Sequence, residues 1–181
     1  MKSKVITLSA ISAAFLAICL TIGAYLTVTD VFMLVLCSVF VVLPLYLNSV
    51  KGSLIAYLVG GVLGFIFSNF NFLYTFIFPA YFTFFGLYPI VSFCLIKRNL
   101  NKALYFVIGA LWCVAFFYGI FFYYTAVMGL DFFDINIDIL WIKDYVLFYL
   151  WALAVLFYFI YDRYVFVIKK IVGFYLGKII K

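Results

Sequence analysis

The chain is 181 residues long, 71% hydrophobic and 24% aromatic, with a mean hydropathy of +1.33 and only 10% charged residues. Soluble domains carry about a quarter charged residues, so a soluble globule, a coiled coil and a disordered tail are excluded. Twelve Lys and Arg stand against six acids, all Asp, with no His and no Glu, which removes the commonest general acids, bases and zinc ligands.

A hydrocarbon core of about 30 Å takes about 20 apolar residues per helix. Six stretches meet that need in chain order: Val5–Leu26, Val31–Leu47, Ser53–Ser68, Phe72–Ile96, Ala103–Thr125 and Tyr145–Tyr161. Polar or turn-like breaks separate them, at Thr27–Asp30, Asn48–Gly52, Asn69–Asn71 and Lys97–Lys102. The third stretch is short and is expected to borrow Val50 or Phe70. The fourth holds Pro79, Gly86 and Pro89 and is expected to be kinked or broken. A membrane barrel is excluded, because its strands alternate a polar inward face and these stretches are apolar all round. The first stretch follows Lys2 and Lys4 like a secretory signal, but its length and the lack of a small-residue cleavage pattern make it a first membrane helix.

Between Lys4 and Lys97 only Asp30 and Lys51 carry charge. With the N-terminus inside, eleven of the twelve basic residues lie inside and five of the six acids (Asp30, Asp131, Asp134, Asp138 and Asp144) lie outside, as the positive-inside rule requires. The expected fold is therefore an all-α integral membrane protein, a single domain over residues 1–181 of six transmembrane helices with both termini cytoplasmic. The tail 163–181 mixes Arg163, Lys169, Lys170, Lys178 and Lys181 with bulky apolar residues. It reads as a basic interfacial helix on the anionic inner leaflet, or as a plain extension of the sixth helix. The expected location is a bacterial plasma membrane, multi-pass.

Two helices carry small-residue faces. Ala10, Ala13, Ala14 and Ala17 step by three or four along the first helix and suit close approach, either to a partner subunit or to a neighbouring helix of the same chain. Gly52, Ala56, Gly60 and Gly64 recur every four residues on the third, a thin helix expected to pack internally. Cys19, Cys37, Cys94 and Cys113 fall on four different helices without CxxC spacing, and read as packing.

No span holds a firm internal charge and no phosphate-binding Gly-rich loop is present, so no catalytic group, no coupling to an ion gradient and no ATP hydrolysis are expected. The chain reads as no enzyme, with no cofactor, no metal and no nucleic-acid partner. The candidate substrate-binding residues are external: Asp131, Asp134, Asn136 and Trp141 in the segment 131–144, with Asn69, Asn71 and Tyr74. That segment reads as an acidic lid over a pocket for a cationic or hydroxyl-rich small molecule, or as a solvated loop. Its Asp-x-Asn-x-Asp spacing lacks the Gly and Glu of a calcium loop.

Ala10-x-x-x-Ala14, Ala13-x-x-x-Ala17 and the run from Lys51-Gly52-Ser53 to Gly60-Gly61-Val62-Leu63-Gly64 resemble the S components of energy-coupling factor (ECF) transporters, and the six-span layout matches theirs over nearly the whole chain. The resemblance implies a substrate-binding subunit for a vitamin or related micronutrient. It implies docking through the first helix on a transmembrane T component with two ATPase subunits. The alternative class is a non-transporting membrane scaffold similar to the small rod-shape-determining proteins of bacteria.

Overall fold

The computed structural model describes residues 2–69, 76–99, 101–128 and 140–179, and among these every regular element is helical. The helices are α1 (Lys2–Tyr25), α2 (Asp30–Tyr46), α3 (Val50–Phe67), α4 (Ile77–Ala80), α5 (Tyr88–Lys97), α6 (Lys102–Met128) and α7 (Leu140–Ile179). A π-helical turn, Tyr81–Phe85, joins α4 to α5. Among the described residues five segments are long and apolar enough to cross a membrane: Ser3–Tyr25, Val50–Phe67, Ile77–Lys97, Lys102–Tyr123 and Phe148–Gly177. α2 is a sixth apolar helix, shorter at 17 residues. The composition thus resolves into a multi-pass helical membrane protein. The described chain divides into two compact units, residues 1–100 with 163–181, and residues 101–162.

In the first unit α1 lies against both α2 and α3. The α1–α3 contact is set by the glycine ladder. A Cβ on Gly60 would stand 2.6 Å from the Leu16 Cβ and 3.1 Å from the Ala13 carbonyl oxygen, and one on Gly64 2.8 Å from the Leu20 Cβ. Only glycine lets the two backbones come this close. The rising register, Gly52 by Ser9, Gly60 by Leu16 and Gly64 by Leu20, makes α1 and α3 parallel. Ser53 on α3 donates to the Val41 carbonyl of α2 at 2.6 Å and ties the third side of this triangle.

α3 starts at Val50, as expected for a short span borrowing a residue. Ser49 caps it by accepting from the Gly52 N–H at 3.0 Å. α2, α3 and α5 each end on an Asn in the left-handed region, Asn48 at φ 55, Asn69 at φ 55 and Asn99 at φ 50. Asn tolerates that conformation better than other side chains, so it closes a helix as Gly does.

The fourth span is broken, as its prolines suggest, and the break has a definite repair. Gly86 N–H reaches back five residues to the Tyr81 carbonyl at 2.9 Å instead of to Phe82, and Pro89 has no N–H to give to Phe85. Both carbonyls find side chains: Tyr57 Oη donates to Phe82 O at 2.9 Å, and Ser38 Oγ to Phe85 O at 3.2 Å. Tyr81 Oη returns a bond to Tyr57 O at 2.9 Å, clipping α3 to the π turn. Irregular backbone at membrane depth survives only when its polar groups are satisfied inside the protein.

Of the two readings of the tail, the extension of the sixth helix is the one formed. A separate interfacial helix after Tyr161 is not formed; α7 runs unbroken for 40 residues. No proline and no glycine precede Gly173 in it, so nothing ends the helix at the cluster Asp162-Arg163. Its last part packs lengthwise on α2: Tyr164 Oη donates to Val35 O at 3.1 Å, and Ile168 and Val172 bury themselves against Val42.

The second unit pairs α6 with the first part of α7. Gly109 leaves room for the Tyr158 ring, which meets Phe106 edge-on at 5.3 Å. Phe117 meets Phe157 at 5.5 Å, Cys113 Sγ donates to Ala154 O at 3.3 Å, and Tyr105 Oη donates to the Asp162 carboxylate.

Candidate functional site

The alanine face of α1 is divided between two jobs. Ala13 and Ala17 are buried, with their carbonyls facing Gly60 and Gly64 of α3. Ala10 and Ala14 are exposed. The neighbouring-helix reading therefore holds for one edge of the stripe, while the other edge is open.

Beside the open edge runs a groove of about 370 Å³ between the first halves of α1 and α3. Its floor is Ser9, Ala10, Ala13 and Gly52, too small to fill the space between Ile6 on one wall and Ile55 and Val59 on the other. Lys51 stands at its mouth, where α3 begins. The surface is apolar, shallow in side-chain volume and bordered by one cation. It suits a packed helix or chain rather than a catalytic step. Within it the Ser9 hydroxyl is buried without a hydrogen-bond partner, and so is that of Ser12 one turn along. No protein-family model, curated protein or solved structure matches the chain. The site is therefore read from its own geometry.

The expected substrate residues are not gathered by the described structure. Asn69 closes α3: its N–H bonds the Ile66 carbonyl at 3.1 Å, and its side-chain amide donates to Tyr25 Oη at 3.3 Å. Tyr25 in turn donates to Phe67 O at 3.4 Å, so this pair joins the ends of α1 and α3. Asn71, Tyr74, Asp131, Asp134 and Asn136 lie outside the described residues, and Trp141 is described only as part of the α7 backbone. Gly52, Ala56, Gly60 and Gly64 are all buried on α3, where the ladder was expected to pack internally.

Three arrangements escaped the sequence reading. The Tyr57–Tyr81 clip and the Ser38 repair join residues 24 to 47 positions apart; only Pro89 hinted that a donor was needed four residues before it. The Cys19 and Cys37 thiols of α1 and α2 are both buried and interact with each other, although their spacing in sequence gives no such sign. A second, smaller cleft, about 200 Å³, opens beside the α2–α3 turn and includes Lys169 of the tail.

Proposed function

We propose that the chain is the membrane-embedded, substrate-binding subunit of an ATP-driven uptake transporter of the energy-coupling factor type. Its cargo would be a small molecule such as a vitamin or related micronutrient. In this reading the protein sits in a bacterial plasma membrane with both termini inside, and a T component with two ATPase subunits supplies the work that this chain has no groups to perform. The observation that supports it is the open edge of α1: Ala10 and Ala14 exposed beside an apolar groove. Lipid tails give two helices no hydrophobic reason to associate, so a smooth helix face contributes by letting backbones approach.

Burial separates the informative variants from the destructive ones. Ala13→Trp would drive an indole into the α1–α3 contact and unfold the unit. Ala10→Trp and Ala14→Trp project outward and leave that contact intact. The expected outcome is that both outward variants keep the wild-type unfolding temperature in detergent and lose at least about tenfold of the co-purifying T component and ATPases, about 1.4 kcal/mol. Leu156→Trp, on an exposed position of α7, retains them. Recovery of the same partners at wild-type level by Ala10→Trp and Ala14→Trp would remove the docking role. Recovery of cell-wall synthesis proteins in place of ATPases would replace transport with scaffolding.

A further inference from the structure

The cleft beside the α2–α3 turn is built unlike the groove on α1. One wall is apolar, Val42 and Val172 from α2 and α7, with the Phe93 ring of α5 beside them. The other side is polar: Asn48 in the turn and Lys169 of α7. The Lys169 ammonium is held in place. It donates to Ser92 Oγ at 3.1 Å, on a serine only 1% exposed, and stands 6.0 Å from the centre of the Phe93 ring. Asn48 is fixed by its backbone, whose φ of 55 closes α2.

The cleft also sits where apolar helices end. α2 stops at Tyr46 and α3 starts at Val50, with Lys51 next; α5 stops at Lys97, followed by Arg98. Asp30 begins α2 and lies about 25 Å away along its axis, and Asp162 is seven residues before Lys169 on α7, about 10 Å along that helix. An anion arriving at this end meets an ammonium and an amide at the rim of an apolar wall.

We infer that this cleft binds the phosphate of an anionic membrane lipid, with Lys169 as the charged donor, Asn48 as the second donor and Ser92 as the residue that aims the ammonium. Free phosphate shares the charge but not the glycerol and acyl chains, for which Val42, Val172 and Phe93 provide contact. The volume of about 200 Å³ holds a headgroup and leaves the tails along the exposed side chains Phe166 and Val167 of α7, on the side of Lys169 toward Tyr164. A phosphodiester accepts charge-assisted bonds from such donors.

Native mass spectrometry of the delipidated full chain in detergent tests it, with phosphatidylglycerol, phosphatidylcholine and inorganic phosphate added separately. The expected result is one tightly held phosphatidylglycerol per chain, at least about tenfold preferred over phosphatidylcholine. Lys169→Gln reduces that affinity about tenfold, the loss of one hydrogen bond to a charged group. Lys170→Gln, whose ammonium lies over the Phe166 ring at 4.7 Å instead of in the cleft, changes it less than about threefold, a screened effect. Asn48→Gly removes the amide while keeping a residue at ease at φ 55, and lowers affinity about threefold with the helices intact. This second variant decides the matter if Lys169→Gln fails to fold. Equal losses in Lys169→Gln and Lys170→Gln would overturn the inference as diffuse attraction. Binding of inorganic phosphate with no preference between the two lipids would overturn it as a lipid site.

Discussion

Ser12 on α1 and Ser38 on α2 are both fully buried, and they differ in where the hydroxyl goes. Ser38 shares its proton between Leu34 O at 3.3 Å and Phe85 O at 3.2 Å, and the second of these carbonyls faces the missing N–H of Pro89. Ser12 finds no acceptor. Removing a partner from a buried carbonyl costs about 1–3 kcal/mol, whereas removing an unpartnered hydroxyl costs nothing in hydrogen bonding. Ser38→Ala should therefore lower the unfolding temperature by several degrees, while Ser12→Ala should leave it equal or slightly raised. Thermal unfolding in one detergent, with each variant beside the wild type, reads both signs at once. A drop for Ser12→Ala as large as that for Ser38→Ala would mean that the Ser12 hydroxyl has an acceptor after all.

At the scale of elements, the break between α4 and α5 couples a proline to a serine on another helix. Pro89→Ala restores an N–H that can return to Phe85 O, so the Ser38 bond becomes redundant. In a double-mutant cycle, Ser38→Ala should cost at least about 0.5 kcal/mol less in the Pro89→Ala background than in the wild type. Additive effects within error would show that Ser38 acts by packing alone. This break also marks how far the sequence could be read. The apolar lengths and polar breaks located the helices, because span length follows from bilayer thickness and needs no tertiary knowledge. Pro79 and Pro89 located the break for the same local reason. The identity of the rescuing donors was not readable, since Tyr57 and Ser38 reach the broken segment only after three helices have packed. The alanine face was half readable. Ala10, Ala13, Ala14 and Ala17 cover an arc of about 100° on a helix, and periodicity groups them together. Which edge is buried depends on where α3 crosses, and the crossing is set by Gly60 and Gly64. The tail left two readings open because its charge pattern is that of a surface helix, whereas Tyr164, Ile168 and Val172 give it a buried stripe against α2.

For the whole molecule, the two units have separate cores and should fail separately. Gly109→Leu puts a branched side chain where Tyr158 sits and opens the α6–α7 pair. Cys113, fully buried there, should then react with N-ethylmaleimide at least about tenfold faster, because access to a thiol limits its labelling. Cys19 and Cys37, buried in the other unit between α1 and α2, should keep their wild-type rates. Mass spectrometry of the labelled peptides separates the three sites. Simultaneous exposure of all of them would show that the units unfold as one.

The first unit is discontinuous in the chain, and that places a clock on its assembly. The Val35 carbonyl on α2 waits for Tyr164, 129 residues further on. At about 5–20 residues per second of synthesis, the wait is on the order of 10 s. For that interval α1, α2 and α3 can already close around their glycines and serines, while the face of α2 around Val42 still lacks Ile168 and Val172. A nascent chain of this protein thus passes through a long-lived, half-covered state, in which whatever else approaches α2 competes with its own tail.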